Sequence, residues 1–370
     1  MKLTGTPFMI LTVLLVPLSI ALLMTAWRRV GGPRGLQFLG RLGLVLLAQA
    51  TAVLMVFVQV NDANQLYATW GDLFGSDSHV RSVAAPPTDN GPGGGNGPDQ
   101  PKVIQQWHAV DDPLVPKDVK QTQLKGRLSG VDGEVLVWTP PQYDDPAYQG
   151  KTFPVVELLA GFPGSASAWF GSMDVSKQLA PLMKSGQVAP FILVSPRVTL
   201  LQGHVDTGCA DVPGKVNAET WLARDVPQMV LDNFRVDPAA EHWAVAGYSA
   251  GAHCATRLAI AHPNRFRAAV AMSGYNDPNG ESDSLTAKDP HLRETCNPLY
   301  MLTHAQTPPD VALYLTGRKG DGLEDAQALQ KAAKAPTTVT PVETTGPHLT
   351  STWKPMVPTV FSWLTQQLKA

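Results

Sequence analysis

Gly247-Tyr248-Ser249-Ala250-Gly251 follows the pattern G-x-S-x-G. The apolar run His242-Trp243-Ala244-Val245-Ala246 precedes it, strand-like in length, and Ala252 to Ala261 follows with a helix-forming composition rich in Ala. Strand, tight turn, serine, helix is the setting of a nucleophile elbow. The glycines serve that turn mechanically. The serine backbone is forced into a strained conformation, and side chains two residues to either side would collide with the crossing strand and helix. The chemistry is attack on an acyl carbon. A serine hydroxyl is too weak for it at neutral pH without a base in hydrogen-bond reach and a third group that orients the base.

With such an elbow the acid and then the histidine follow the serine along the chain. The downstream histidines are His253, His262, His291, His304 and His348. His253 lies one turn along the elbow helix and points away, His262 precedes Pro263 at a helix end, and His291 and His304 fall between two strands. His348, in Gly346-Pro347-His348, stands between the last strand and the last helix, in a loop at the carboxyl edge of the sheet, and is the expected base. The acid is expected after the strand Val311 to Thr316, in Gly317-Arg318-Lys319-Gly320-Asp321. Asp321 is best placed. Glu324 is the alternative, because a helix starting at Leu323 could use Asp321 as its N-cap. Two backbone donors are needed for the oxyanion of the tetrahedral intermediate. One is the amide of Ala250. The other is expected in Ala160-Gly161-Phe162-Pro163-Gly164, where Pro163 has no N–H and Phe162 is the expected donor, although a plain Gly/Pro turn would have the same composition.

The elements that position these groups read as strands alternating with helices from about Lys102. Gln121 to Ser129 and Glu134 to Trp138 predict a hairpin, with Gly130 and Gly133 in its turn. Phe153 to Leu159, Phe191 to Val194, His242 to Gly247, Ala268 to Met272, Val311 to Thr316 and Thr337 to Val342 predict further strands. Helices are expected at Asp174 to Lys184, Glu219 to Phe234 with an interruption near Pro227, Leu323 to Lys334 and Thr352 to Leu368. The pattern predicts an α/β fold, an α/β-hydrolase with a mostly parallel central sheet and helices on both faces. Ligands of such sheets sit at the carboxyl ends of the strands, where the serine lies. The long Leu200 to Val216 loop, with Gln202, His204, Asp206 and Asp211, and the Gly274 to Thr307 insertion are expected to shape the acyl or acceptor pocket.

The 370 residues carry a formal net charge of −2, which gives no footprint for nucleic acid. Cys209, Cys254 and Cys296 lack the spacing of a zinc site, and Asp277, Asp283 and Asp289 are too far apart for a known metal loop. No metal and no cofactor are expected. The first sixty residues hold two apolar blocks. Pro7 to Trp27 has no charged residue and as a helix would extend about 31 Å, enough for a bilayer core of about 30 Å. Pro17 within it is a kink that transmembrane helices tolerate. Leu42 to Val60 is the second block. Arg28, Arg29, Arg34 and Arg41 lie between them, whereas Asp62 and Asp72 follow the second block with no Lys or Arg before Arg81. Positive residues stay cytoplasmic, so a two-pass hairpin is expected in the cell membrane, with its loop inside and the C-terminal domain extracytoplasmic. A cleaved signal peptide is the alternative for the first block, which is long for one and lacks a clear A-x-A site.

Asn61 to Gly75, with Leu66, Tyr67, Trp70, Leu73 and Phe74, reads as an interfacial segment or as a short amphipathic helix docked on the next domain. Ser76 to Gln100, with Gly91-Pro92-Gly93-Gly94-Gly95, reads as a flexible tether. The expected organisation is therefore 1–75 hairpin and interfacial segment, 76–101 linker, and 102–370 catalytic domain.

Gly247-Tyr248-Ser249-Ala250-Gly251, His262-Pro263-Asn264-Arg265-Phe266 and Ala271-Met272-Ser273-Gly274 together resemble the esterase-D-like α/β-hydrolases of actinobacteria, which include the secreted mycolyltransferases. Gly208-Cys209 and Glu219-Thr220-Trp221-Leu222 are also similar to the mycolyltransferases. The resemblance covers about Gln121 to Leu368 and none of the hairpin. It implies serine-dependent acyl transfer from an ester to water or to a sugar hydroxyl, through Ser249, an acid and His348. Those transferases use a glutamate as the acid, which keeps Glu324 open, and they are secreted free, unlike a chain tethered by a hairpin. In an oxidising exterior the three cysteines allow one disulfide, Cys209 with Cys254 ahead of Cys209 with Cys296, against buried free thiols. The expected activity is that of a membrane-tethered serine esterase or acyltransferase acting on a small-molecule, lipid or glycolipid ester. A non-catalytic binding module on the same fold is the alternative from another class.

Overall fold

The computed structural model describes residues 2–83 and 102–369. One nine-stranded sheet runs in the order β1 (His108–Ala109), β2 (Lys120–Lys125), β3 (Asp132–Trp138), β5 (Ile192–Pro196), β4 (Val155–Leu159), β8 (Trp243–Tyr248), β9 (Ala268–Met272), β10 (Ala312–Gly317) and β11 (Thr338–Glu343). β6 (Asp211–Val212) and β7 (Val216–Asn217) form a separate small ribbon. The pairs β1–β2, β2–β3 and β3–β5 are antiparallel, and every later pair of the large sheet is parallel.

The reason is in the apolar runs. All residues of β4, β5, β8, β9 and β10 are buried, as expected of strands covered on both faces. Successive side chains alternate between faces. Val155 and Leu159 join a core made with α6 (Val226–Asn233), α7 (Ala250–Ala261) and α11 (Leu323–Ala332). Val156 and Leu158 join the opposite core with α4 (Val175–Lys184) and α13 (Val357–Gln367). The chain leaves β4 toward β5 on one side and leaves β8 toward β9 on the other. The crevice of this switch point opens between the ends of β4 and β8, the place where such sheets bind ligands.

Two helices break differently from the reading of the sequence. Glu219 to Phe234 is expected as one helix interrupted at Pro227. It is built as α5 (Ala218–Thr220), a π-helical turn Trp221–Asp225, and α6, so the irregularity precedes the proline. Pro227 occupies an early position of α6, where no N–H is needed. Thr352 to Leu368 is likewise divided into α12 (Thr350–Trp353), a 3-10 turn Lys354–Met356 and α13, because Pro355 and Pro358 each lack a donor for a continuous helix. The predicted set also lacks β1, too short to show a pattern. The insertion carries α8 (Leu285–Lys288), α9 (Pro290–Thr295) and α10 (Pro298–His304).

At the N-terminus α1 (Thr6–Ala26) and α2 (Arg34–Asn64) are long and apolar enough to cross a membrane. Ser19 and Thr51 hydrogen-bond between them at 2.8 Å. Their outer faces are bare: Met24 is 74% and Val53 69% exposed. The second helix starts eight residues before the expected Leu42 and ends four after Val60. A charge-free stretch marks what suits hydrocarbon, not where a helix stops. Pro33 and a left-handed Gln65 are the actual ends.

The segment after α2 is docked on the α/β domain. α3 (Trp70–Phe74) begins with a capping box between Thr69 and Asp72. Arg197, at the end of β5, holds Asp72 with two nitrogens at 2.9 Å and Glu134 at 3.3 Å. Of the predicted tether, residues 76–83 are fixed rather than free. His79 N–H donates to Leu200 O at 3.0 Å, and Val80 bridges Val131. The remainder, 84–101, lies outside the described residues.

Cys209 and Cys254 are joined, with Cα atoms 5.7 Å apart, and Cys296 is free and buried. The bond closes a loop between residues 45 apart, for which the chain-entropy relation gives about 4 kcal/mol. Cys209→Ser with Cys254→Ser is expected to lower the thermal midpoint by well over 5 °C, and reductant is expected to do the same to the wild type but not to the double variant, as read by circular dichroism.

Candidate active site

Ser249 follows β8 and precedes α7, with φ 55° and ψ −127°. A side chain at positive φ is held there only when its surroundings leave no alternative. Here the reason is a close crossing. A Cβ on Gly247 would lie 2.0 Å from the carbonyl oxygen of Gly251, and a Cβ on Gly251 would lie 2.3 Å from that of Leu159. The end of β8, the start of α7 and the end of β4 touch through bare backbone, and the chain can reverse only by lifting Ser249 out of the sheet.

His348 stands in the loop between β11 and α12. Its Nε2 is 2.8 Å from Ser249 Oγ and its Nδ1 2.8 Å from Asp321 Oδ1. With Nδ1–H donating to the carboxylate, Nε2 carries the lone pair and can accept a hydrogen bond from the Ser249 hydroxyl. The ring is steered from the side. Trp353 meets it edge-on at 4.8 Å, Tyr248 stacks on Trp353 at 4.9 Å, and Trp353 Nε1–H donates to Ser273 Oγ at 3.0 Å.

The two candidate acids part here. Asp321 is mostly buried, and its second oxygen faces Arg318 Nε at 3.4 Å. Glu324 is turned back on its own loop, where its carboxylate accepts the amide of Gly320 at 3.1 and 3.0 Å. The amides of its own residue and of Gly320 hold that carboxyl below its ordinary pKa. Capping of α11 falls to Gly322 at φ 86°, which leaves Asp321 free for the histidine.

Phe162 lies in the loop after β4, and Ala250 is the first residue of α7. Neither amide donates a hydrogen bond among the described residues. A Cβ on the neighbouring Gly161 would stand 3.1 Å from Ser249 Cβ, so this loop lies against the serine. The helix N-terminus adds partial positive charge at the same place.

The other downstream histidines are occupied elsewhere. His253 is buried, stacks on Tyr275 at 4.6 Å and bonds its carbonyl oxygen at 2.8 Å; burial lowers its pKa to about 4, so it is neutral. His262 Nε2 contacts Glu219 at 2.7 Å, and His304 stacks on Tyr300 at 3.9 Å. His291 starts the exposed helix α9.

Behind the elbow, Arg257 of α7 donates to the carbonyl of Cys209 at 2.8 Å and to Glu219, which also takes His262. Burial alone would raise the Glu219 pKa, but Arg257 first and His262 second pull it down to about 2. This brace and the Cys209–Cys254 bond tie the long loop to α7. The sequence offered one signal for it, a lone arginine in the otherwise uncharged helix 250–261. The same loop meets the insertion beside the histidine. Leu285 N–H donates to Asp206 O at 2.8 Å, and Gly208 leaves room for Thr286, whose Oγ1 lies 2.1 Å from where a Cβ would be. Burial first and the nearby Glu281 charge also push the Asp206 carboxyl up to about 6.

A sequence profile of the Esterase family matches residues 129–357. An uncharacterized protein of Corynebacterium glutamicum is 24% identical over 257 residues, covering 65% of this chain and 58% of that protein. The match thus spans less than two thirds of that curated relative's length. Among solved structures, a ferulic acid esterase superposes with a TM-score of 0.56 at 20% identity, over 68% of this chain and 97% of the other. An S-formylglutathione hydrolase from Agrobacterium tumefaciens gives 0.54 at 14%, over 71% and 99%. The fluorophosphonate-binding serine hydrolase F of Staphylococcus aureus gives 0.52 at 14%, over 72% and 99%. The shared fold is that of the α/β-hydrolases.

Asp321→Asn removes the acceptor that fixes the imidazole tautomer, and is expected to cut kcat on a p-nitrophenyl ester roughly 10⁴-fold. Glu324→Gln, which disturbs only the Gly320 turn, is expected to stay within a few-fold of wild type in the same assay.

Proposed function

The chain belongs to the esterase family, and from that premise we propose that it is a membrane-anchored serine esterase that takes the acyl group of a lipid or cell-envelope ester onto Ser249. Ester hydrolysis is the activity that the family carries. The observation that supports the assignment to particular residues is the unbroken hydrogen-bonded line from Asp321 through His348 to Ser249.

In the proposed cycle Ser249 Oγ adds to the ester carbonyl while His348 Nε2 accepts its proton. The carbonyl oxygen becomes an oxyanion facing the free amides of Phe162 and Ala250, and Asp321 stabilises the imidazolium. Collapse breaks the bond to the alcohol, which leaves with the proton from His348. Water then adds to the acyl-enzyme with His348 again as base, the Ser249 ester bond breaks, and the acid departs. Every proton taken is returned, and no cofactor is required.

Three features support an extracytoplasmic site. Two long apolar helices stand at the N-terminus, four arginines lie between or just inside their facing ends, and the Cys209–Cys254 bond suits an oxidising compartment. Lys2, just before α1, donates to Asp111 O of the α/β domain at 3.1 Å, so the two outer ends of the hairpin share one side with that domain.

A fluorophosphonate probe tests the reading directly. The folded wild type is expected to be labelled, and Ser249→Ala to lose both the label and all esterase turnover. A folded wild type that takes no label would make the domain a binding module instead. A reporter fused after residue 370 is expected to be active only in its periplasmic-type, exported form.

A further inference from the structure

The residue that ends the second apolar helix is also built into the wall of the site. Gln65 is completely buried. Its carbonyl oxygen accepts from Ser165 Oγ at 3.0 Å and from the Ser165 amide at 3.4 Å. Its side-chain oxygen accepts the Ser172 amide at 2.7 Å, and its side-chain nitrogen donates to Asp112 at 3.1 Å. A Cβ on Gly171 would lie 2.0 Å from that side-chain oxygen, so residues 165–172 form a slot shaped to Gln65.

Ser165 is three residues beyond Phe162, the expected oxyanion donor. Three residues span at most about 11 Å. The stretch Phe162–Gly164 is further enclosed by Leu66, Tyr67, Gly71 and Asp72 across a narrow cavity. A helix cap therefore grips the chain that must present an amide to the reacting carbonyl. Nothing in ordinary tethering requires this, since a tether needs only length.

The depth of Gln65 follows from helix geometry. Leu42 to Val60 is uncharged and about 28 Å long, close to the hydrocarbon thickness, and Asn61 to Asn64 add about 6 Å. Gln65 thus falls in the headgroup layer, and the half-exposed Trp70 and exposed Phe74 after it carry the aromatic character of that layer.

We infer that Gln65 is a positioning residue of the active site: by capping the membrane helix and clamping the oxyanion loop, it makes an ester resident in the same bilayer the substrate that meets Ser249. This rests on the esterase reading and the membrane hairpin above.

The test uses the full-length protein in phosphatidylcholine vesicles, with p-nitrophenyl acetate in solution and p-nitrophenyl palmitate either in the same vesicles or in separate ones. Gln65→Ala and Ser165→Ala are the variants; Ser165→Ala trims a single hydroxyl and carries the test if Gln65→Ala does not fold. Folded variants are expected to lose 10-fold or more in kcat on the soluble acetate, with KM within about 2-fold. A merely structural contact would lower the thermal midpoint and leave kcat alone. The wild type is expected to turn over palmitate at least 10-fold faster in its own vesicles than in separate ones. Unchanged kcat in the folded variants, or equal rates on the two vesicle populations, overturns the inference while leaving a Ser249-dependent esterase intact. Absence of any wild-type turnover overturns both.

Discussion

The candidate site depends on one close approach. Where a side chain on Gly251 would begin, the carbonyl of Leu159 already stands at 2.3 Å. The contact brings the end of β4 and the start of α7 together across the end of β8, and both prospective oxyanion amides come from those two elements. Ser249 and the two amides are thus not three independent placements. They are consequences of a single crossing that only glycine permits, and the positive φ of Ser249 is the local strain that the crossing imposes.

Strain of that kind persists only in rigid surroundings, and the surroundings here are braced on both sides. Behind α7, Arg257 joins the carbonyl of Cys209, the carboxylate of Glu219 and, through it, His262. Such a buried ionic cluster contributes little net stability, because desolvation opposes the Coulomb attraction, yet removing one member strands the others. Its effect is to fix where the long loop sits relative to the elbow. In front, the Tyr248–Trp353–His348 series sets the imidazole plane with apolar contacts that do not compete for its two nitrogens. The base can keep its acceptor nitrogen free for the serine because its other nitrogen is held by Asp321.

The sheet and the elbow were legible because each is a local pattern. Short apolar runs such as Ala268 to Met272, spaced among helical segments, fit strands buried on both faces of a mostly parallel sheet, and the strand, turn and helix around Ser249 are contiguous in sequence. The choice between Asp321 and Glu324 was not legible, since they stand three residues apart across the start of α11. Hydrogen bonding separates the two: the Gly320 amide engages Glu324, His348 engages Asp321, and Gly322 takes the cap that Asp321 would otherwise fill. The segment after α2 was harder still. Its aromatics fit a bilayer surface or a protein surface equally, and what fixes it is Arg197 and Ser165, more than ninety residues away. Sequence patterns report local geometry; partners brought together by the sheet leave no trace in them.

That docked segment alters how the anchor is to be understood. A flexible tether would leave the domain free to tumble, and the encounter of Ser249 with a bilayer ester would be a search governed by effective concentration. A cap set into a slot at residues 165–172, reinforced by the Arg197–Asp72 pair, removes that freedom, and in the proposed bilayer setting it would fix the height and tilt of the crevice. Orientation obtained before substrate arrives lowers the entropic part of the barrier. On the proposed reading the segment would favour substrates that share the plane of the membrane, through a contact remote from Ser249 in sequence but close in space to the loop after β4.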